Sequence, residues 1–250
     1  MTNGTVVTRE DAVLCGAAWF DACFRRLDST AAIRWHARDG ATVAAGQTLC
    51  DIEANTRALL TAERAALNFL QLLSSTATIA RAHADAIAGA SPNPKGCAVL
   101  DTRKTIPGLR LAQKYAVRVG GGQNQRLALY DGILIKENHI AASGGVTAAL
   151  QAAQALHAGV GIQIEVETLD QLREALDAGA ESVLLDNFTE ARMREAVALN
   201  AGRALLEVSG GVGIDQLRWI AATGVDRISI GKLTKDVRAV DFSMRVEEPA

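Results

Sequence analysis

Residues 162–186 read IQIEVETLDQLREALDAGAESVLLD and contain a complete strand, helix and strand unit. The two ends, IQIEV (162–166) and SVLLD (182–186), are continuous apolar runs, which are typical of strands covered on both faces. The segment between them, LDQLREALDAGA (169–180), has helix formers at 3.6 spacing and ends near a glycine. This order predicts two parallel strands joined by a right-handed crossover.

The same unit recurs on both sides of this segment. Further strands are predicted at AVLD (98–101), GILIK (132–136), ALLEV (204–208) and RISIG (227–231). Further helices are predicted at VTAALQAAQALHA (146–158), TEARMREAVALNAG (189–202) and GIDQLRWIAATG (213–224). Repeated β-α units predict a parallel sheet, which is either a barrel or an open doubly wound sheet.

Polar or glycine residues stand at the carboxyl end of each predicted strand. They are residues 101–104, residues 136–138, Glu165, Asp186 with Asn187, residues 209–211, and Gly231. In a barrel these ends all lie on one rim, where barrel active sites are built, whereas an open sheet would use only the strands at one switch point. Helix capping explains single acidic residues but not six such ends in succession. We therefore favour a barrel with a functional rim.

Residues 101–140 carry seven basic and three acidic side chains, a net charge of +4, in a chain whose net charge is −2. Nucleic-acid binding usually shows as a basic balance over a whole domain or face. A local positive field inside a mildly acidic protein instead favours a small anionic ligand. The sequence therefore predicts a substrate with several negative groups.

The composition, 49% hydrophobic and 22% charged over 250 residues, is that of an ordinary soluble globular protein. The four cysteines form no CxxC pair and are expected to be free thiols. Residues 138–164 lack Asp, Glu, Lys and Arg, but their glycines and polar side chains argue against a membrane span. The N-terminus MTNGTVVTRED does not have the pattern of a signal peptide, so a cytoplasmic location is expected.

The first sixty residues have a different pattern. Residues 38–64, RDGATVAAGQTLCDIEANTRALLTAER, have glycines at turn positions and predict short antiparallel strands, similar to those of biotin and lipoyl carriers. Those carriers present a lysine at a hairpin tip, and no lysine occurs before Lys95, so the carrier function is excluded. Residues 59–90 have long apolar helical periodicity and predict a helix that leads into the barrel.

Seven segments together resemble the quinolinate phosphoribosyltransferase family. They are LLTAERAALNFLQLLS (59–74), LDTRKTIPGLR (100–110), KYAVRVGGGQNQRLALYDGILIKENHI (114–140), IEVETLDQL (164–172), VLLDNF (183–188), LEVSGGV (206–212) and ISIGKLT (228–234). The resemblance extends over residues 11–245. It implies an α/β barrel of the type II phosphoribosyltransferase kind at 67–236, and a smaller N-terminal α+β sandwich domain at 1–66 to which 237–250 return.

The resemblance also implies a binding site for quinolinate, a pyridine with two adjacent carboxylates. Its ligands would be Arg103, Lys104, Gln125, Arg126 and Lys136, with Arg64 supplied by the partner subunit of a homodimer. Gln125 stands where many relatives have histidine, and it keeps a hydrogen-bond donor but removes a titratable one. From the residues alone, Glu63 and Arg64 would belong to a solvated helix face.

Phosphoribosyl pyrophosphate would be bound at the other strand ends. The resemblance assigns to it Glu165, Asp186, Ser209, Gly210, Gly211, Gly231 and Lys235. Glu165 and Asp186 would hold Mg²⁺ directly or through water, and these two, with Lys104 and Lys136, would be the catalytic residues. The implied reaction is attack of the pyridine nitrogen on ribose C1, loss of pyrophosphate and then decarboxylation, in the NAD biosynthetic pathway.

Three alternatives stay open at the level of sequence. One is a paralogous phosphoribosyltransferase with another base, which includes the molybdenum-transport-associated relatives. A second is a sugar-phosphate aldolase barrel in which Lys136 forms a Schiff base. The third is a non-catalytic anion-binding module. His139 lies next to the expected site, and its role is undecided.

Overall fold

The computed structural model describes residues 1–246 of the 250-residue chain. Its strands are β1 (Thr2–Thr8), β2 (Ala12–Val13), β3 (Ala32–Trp35), β4 (Thr42–Val43), β5 (Thr48–Ala54), β6 (Ala98–Leu100), β7 (Ile133–Ile135), β8 (Ile162–Val166), β9 (Ser182–Asp186), β10 (Leu205–Ser209), β11 (Arg227–Ser229) and β12 (Phe242–Val246). Its helices are α1 (Ala17–Arg25), α2 (Thr56–Ile87), α3 (Arg110–Val119), α4 (Glu137–Ser143), α5 (Val146–Ala155), α6 (Leu169–Asp177), α7 (Glu190–Asn200), α8 (Leu217–Ala221) and α9 (Lys232–Lys235).

The chain divides into two compact units. The first consists of residues 1–82, 105–122 and the segment from 232 onward, and the second consists of residues 83–104 and 123–231. Residues 247–250, which the sequence assigns to the returning segment of the small domain, lie outside the described residues.

The second unit is built on a six-stranded parallel sheet in the order β6-β11-β10-β9-β8-β7. Strands β7 to β11 follow one another in chain order, and the first strand, β6, pairs with the last, β11. A doubly wound sheet would instead reverse its order at a switch point. The order found here is that of a β/α barrel in which β6 and β7 are the two end strands of the sheet. This confirms the predicted fold class. All six strands predicted between residues 98 and 231 are present.

Helices α5, α6 and α7 begin within one residue of their predicted starts, whereas α8 begins at Leu217, after a 3₁₀ turn at Ile214–Gln216, and α4 was not predicted. Thr168 and Thr189 precede α6 and α7, and their side chains accept hydrogen bonds from the backbone N–H groups of Gln171 and Arg192. The strands between the helices are buried, with Ile164, Val183, Leu185, Leu206, Val208 and Ile228 at most 1% exposed. Apolar burial of this kind fixes the strand ends, and therefore the residues that follow them, in space.

The first unit contains an antiparallel sheet in the order β12-β1-β5-β3. Its core consists of Phe20, Phe24, Leu49, Ile52, Leu59, Leu67 and Leu70, among others, all at most 2% exposed. The short antiparallel strands predicted within residues 38–64 are β4 and β5, and the predicted helix at 59–90 is α2. The C-terminal strand β12 pairs with β1.

The glycine run that follows α3 has a packing role. A Cβ atom on Gly120 would lie 2.3 Å from the Ala77 carbonyl oxygen and 2.7 Å from the Ala80 Cβ of α2. Arg81 Nε donates to the Gly120 carbonyl oxygen at 3.0 Å. Gly121 has a φ of 97°, which favours glycine. The run therefore permits a close approach to α2 and a tight turn.

All four cysteines are free thiols. Within residues 1–246, no helix is long and apolar enough to cross a membrane. The uncharged stretch 138–164 contains most of helix α4, all of helix α5 and the start of strand β8.

Candidate active site

Five of the predicted site residues lie at the carboxyl ends of neighbouring parallel strands of the second unit. Lys136 follows β7, Glu165 is in β8, Asp186 ends β9, Ser209 ends β10, and Gly231 lies just beyond β11. Because all six strands are parallel, these ends share one edge of the sheet. The β-α spacing of the sequence predicted this common edge.

Lys136, Glu165 and Asp186 form the charged centre of this edge. Lys136 Nζ lies 3.0 Å and 3.3 Å from the two carboxylate oxygens of Glu165. The Glu165 side chain is 11% exposed, whereas that of Lys136 is 45% exposed. The carboxylate is therefore fixed below the surface, and the lysine reaches it from the solvent side.

The environment of Asp186 opposes its negative charge. Burial raises the pKa of Asp186 above its ordinary value, and the nearby carboxylates of Glu167 and Glu137 raise it further, whereas the ammonium groups of Lys136 and Lys104 lower it. The same interactions show that Lys104 and Lys136 both lie close enough to Asp186 to affect it. A cation bound at this point would relieve the repulsion among the carboxylates.

Two arginines form a second positive group. The pKa of Arg126 is lowered from its ordinary value by burial and by the positive charge of Arg103. Arg126 Nη1 donates to the Gly132 carbonyl oxygen at 2.9 Å, which holds the guanidinium in place. Like charges are held together at a cost, and an anionic ligand between them would offset that cost.

Gln125 is tied into the interior of the barrel. Its Nε2 donates to Gln163 Oε1 at 2.9 Å and lies 3.4 Å from both carboxylate oxygens of Glu207. Its backbone N–H donates to the buried carboxylate of Asp101 at 2.9 Å. Its position next to Arg126 is therefore set by two buried carboxylates, on β10 and just after β6. Its predicted contact with quinolinate stays a prediction.

The glycines after β10 and β11 leave room beside the strand ends. Gly210 has a φ of 109°, and a Cβ there would lie 2.2 Å from Asn187 Oδ1. Gly211 also has a positive φ, of 58°, and open space around its α-carbon. A Cβ on Gly231 would lie 3.2 Å from Lys104 Cδ. Gly210 and Gly211 are exposed, and Gly231 lies next to a lysine, an arrangement that suits a phosphate.

Arg64 and Lys235, the remaining predicted site residues, belong to the first unit, in α2 and α9. Their assigned contacts stay predictions.

The sequence analysis missed the polar residues inside the barrel. Glu207 is 1% exposed and Gln163 is 8% exposed, and Gln163 Nε2 donates to Glu207 Oε2 at 2.9 Å. Both residues interrupt apolar runs, ALLEV and IQIEV, and that interruption is the signal that could have identified them. Asp101 is fully buried and holds the Asn124 amide as well as the Gln125 backbone.

The fold and this edge define the class of protein. It is an α/β-barrel protein whose strand ends combine paired cations, partly buried carboxylates and glycine turns, an arrangement suited to a ligand with several negative groups and a metal ion.

Comparison with known proteins gives the family. The family model for the quinolinate phosphoribosyl transferase C-terminal domain matches residues 76–245, and the model for the N-terminal domain matches residues 1–74. The chain therefore belongs to the quinolinate phosphoribosyltransferase family, as the sequence motifs predict.

Individual relatives agree with this assignment. The chain is 39% identical over 242 residues to a probable nicotinate-nucleotide pyrophosphorylase (carboxylating) of Bacillus subtilis, covering 96% of this chain and 82% of the relative. It is 40% identical over 252 residues to the nicotinate-nucleotide pyrophosphorylase (carboxylating) of Mycobacterium leprae, covering 98% and 86%. The solved structure of the nicotinate-nucleotide pyrophosphorylase from Francisella tularensis superposes with a TM-score of 0.93 at 42% identity, covering 98% of this chain and 86% of that one.

Phosphoribosyltransferases generally use a divalent metal. In the part of the chain that the structure describes, no group of three or more His, Cys, Asp or Glu side chains is placed to hold one. Mg²⁺ needs only one or two carboxylates when substrate phosphates and water supply the other ligands. Glu165 and Asp186 therefore fit such an ion.

Proposed function

We propose that this protein transfers the phosphoribosyl group of phosphoribosyl pyrophosphate to quinolinate. The products are nicotinate mononucleotide, pyrophosphate and CO₂. The observation that carries the proposal is the charge pattern of the barrel edge in a member of this family. Arg103 and Arg126 form one positive group, and Lys104 and Lys136 lie close to Asp186. Two positive groups suit a ligand with two carboxylates.

In this proposal the arginines bind the quinolinate carboxylates. Arg126, held by the Gly132 carbonyl, and its neighbour Arg103 offer planar donors that match a carboxylate. Lys136 and Lys104 complete the charge balance, and Gln125 lies at the base of the site. The low exposure of Glu165 keeps its carboxylate in place while the lysine beside it exchanges partners.

Phosphoribosyl pyrophosphate is proposed to bind along the ends of β8 to β11. Glu165 and Asp186 would hold Mg²⁺, which neutralises charge on the pyrophosphate when it is bound. Ser209, Gly210, Gly211 and Gly231 would hold the 5′-phosphate through backbone N–H groups, as barrels commonly do after their last strands. Lys235 is assigned to the same substrate by resemblance.

The reaction needs positioning and charge rather than a covalent nucleophile. The pyridine nitrogen attacks ribose C1 while the bond to pyrophosphate breaks, and the carboxylates of Glu165 and Asp186 stabilise the positive charge that develops on the ribose. The carboxylate next to the quaternary nitrogen then leaves as CO₂, and the electron pair of the broken bond stays on that ring carbon as a carbanion, which the adjacent positive nitrogen stabilises. A proton from solvent replaces that carboxylate. The chain's cations hold the substrate in line for the first step.

A homodimer with shared sites is also proposed, in which Arg64 enters the site of the partner. A cytoplasmic location stays a prediction from the N-terminal sequence.

The aldolase alternative is less well supported. A Schiff-base lysine needs a desolvated, apolar pocket or a second cation to activate its amine. Lys136 instead pairs with Glu165 and is almost half exposed. A paralogous enzyme with another base would keep the cations, so only an assay with different bases separates it from the proposed function.

The proposed function is tested by an assay with quinolinate, nicotinate or nicotinamide, each with phosphoribosyl pyrophosphate and Mg²⁺. We expect nicotinate mononucleotide and pyrophosphate from quinolinate alone. Product from nicotinate alone would contradict the two-carboxylate argument. Borohydride trapping of Lys136 with a carbonyl substrate would favour the aldolase.

A further inference from the structure

Lys136 is held by its backbone as well as by its side chain. It is the N-cap residue of helix α4, and its backbone is extended, with φ of −121° and ψ of 171°. His139, three residues later, accepts this N–H at its ring Nδ1, at a distance of 3.0 Å. The His139 backbone N–H in turn donates to the Lys136 carbonyl oxygen at 2.8 Å. The two residues therefore close a ring at the start of α4.

This ring sets the direction in which the Lys136 side chain leaves the strand end. Strand β7 ends at Ile135, one residue earlier, and the Lys136 ammonium reaches Glu165 Oε2 at 3.0 Å. Without the bond to His139, the Lys136 N–H would have only water as a partner, and the backbone at residue 136 would lose one of its constraints.

We infer that His139 is a positioning residue for Lys136, and that it acts only while its imidazole is neutral. Nδ1 can accept a hydrogen bond only when the ring proton is on Nε2, and a protonated imidazole has no acceptor. In acid the ring would present an N–H to the Lys136 N–H, and the cap would be lost. This inference rests on the proposed function, because it treats Lys136 as part of the substrate site.

Charged side chains lie on the segment of His139 itself and at the neighbouring strand ends, where Asp186 interacts with Lys136 and Glu137. His139 is exposed, and its own segment carries Lys136 and Glu137. Helix α5 packs against α4 and has no charged side chain between Val146 and Ala155. Glu165, on β8, acts on the Lys136 ammonium rather than on the backbone N–H. The capping bond is therefore the direct link between His139 and the site.

The test compares the full-length wild type with His139→Gln, His139→Ala and His157→Asn. Glutamine at this helix position offers a side-chain oxygen to the same N–H and does not titrate, whereas alanine offers no acceptor. His157 is an exposed histidine with a φ of 45°, a conformation that asparagine adopts readily, so His157→Asn is the matched control. The KM for quinolinate and kcat are measured from about pH 5.5 to about pH 8, the range in which imidazoles titrate.

At pH 8 we expect His139→Gln to match the wild type and His139→Ala to raise the KM about fivefold, the effect of losing one capping hydrogen bond. As the pH falls, the ratio of the wild-type KM to the His139→Gln KM should rise. It should approach the ratio of the His139→Ala KM to the His139→Gln KM. Because the substrates are the same in both proteins, their own titration cancels in this ratio. His157→Asn should follow the wild type throughout.

The inference is overturned if His139→Ala has the wild-type KM at pH 8, or if His139→Gln and the wild type have the same pH profile. A second measurement does not depend on activity. Nitrogen NMR of the His139 ring at pH 8 should show the proton on Nε2, and exchange of the Lys136 amide should be faster in His139→Ala than in the wild type. A proton on Nδ1 overturns the inference, whether or not the wild type is active. A wild type that forms no product contradicts only the proposed function.

Discussion

At the scale of single residues, the site is a set of charges that are costly without a ligand. Arg103 and Arg126 repel each other, and Asp186 is partly buried beside two other carboxylates. Lys136 and Glu165 form an ion pair within this group, with Nζ 3.0 Å from Oε2. Such an arrangement stores unfavourable interactions that an anionic substrate and a metal ion can relieve.

Removal of one substrate-binding cation should strongly reduce turnover without unfolding the protein. In Arg103→Ala or Lys136→Ala, we expect kcat/KM for quinolinate to fall about 100-fold or more, the effect of losing a charge-assisted contact of about 3 kcal/mol. The matched controls are Arg203→Ala and Lys95→Ala, which remove exposed cations just before β10 and β6, at the amino ends of those strands. Near wild-type activity in either site variant, or equal loss in its control, would remove the proposed site.

Asp186→Asn should raise the stability of the ligand-free protein and lower its activity. The raised pKa of Asp186 means that its ionised form is destabilising in the ligand-free protein. Its stabilising contribution is complete in acid, where it is protonated, and is lost as the pH rises through that raised pKa. We therefore expect the ligand-free, metal-free variant to melt above the wild type at pH 8, with the difference shrinking toward pH 4, while activity falls about 100-fold. A lower melting temperature at pH 8 would count against this account.

At the scale of elements, the strands and helices of the barrel were predictable because each unit repeats the same pattern. Apolar runs mark β6 to β11, and Thr168 and Thr189 mark the starts of two helices. The rim residues followed from strand ends. The polar interior could not be predicted, because Glu207 and Gln163 stand inside mostly apolar runs, and only their packing in three dimensions shows that they meet. The role of His139 likewise depends on a ring orientation that spacing does not give.

The close approach of Gly120 to helix α2 can be tested by substitution. We expect Gly120→Ala to destabilise the protein by about 1–3 kcal/mol, because the added methyl group would overlap the Ala77 carbonyl oxygen of α2. Gly120 has a φ of −73°, so alanine suits its backbone and only the contact is tested. Gly161→Ala is the control, since its Cβ would meet nothing within 4 Å and its φ is not positive. Equal denaturant midpoints for the two variants would show that the close approach is not tight.

At the scale of the whole molecule, the family models match 1–74 and 76–245, so the resemblance read from seven motifs extends over both units. The composition alone does not distinguish one kind of anion-binding barrel protein from another. The motifs narrowed the choice because they specify several strand ends at once, in order and at fixed separations. The contributions of Arg64 and of a second subunit are the predictions that belong to this scale.

Mixing two inactive variants tests shared sites. If Arg64 acts in the partner's site, an Arg64→Ala and Lys136→Ala heterodimer contains one doubly altered site and one intact site. After unfolding and refolding of an equal mixture, we expect about a quarter of the wild-type activity, since about half of the dimers are mixed and each has one working site. Activity no higher than that of the separate variants would mean that each site belongs to a single chain.

The central claim is that one active site couples phosphoribosyl transfer to the loss of one of two carboxylates. The most direct measurement uses quinolinate labelled with ¹³C in the carboxylate next to the ring nitrogen, with Mg²⁺, and with or without phosphoribosyl pyrophosphate. We predict one labelled CO₂ and one pyrophosphate for each nicotinate mononucleotide, and no CO₂ when phosphoribosyl pyrophosphate is omitted. Release of pyrophosphate without CO₂, or of CO₂ without phosphoribosyl pyrophosphate, would contradict the account.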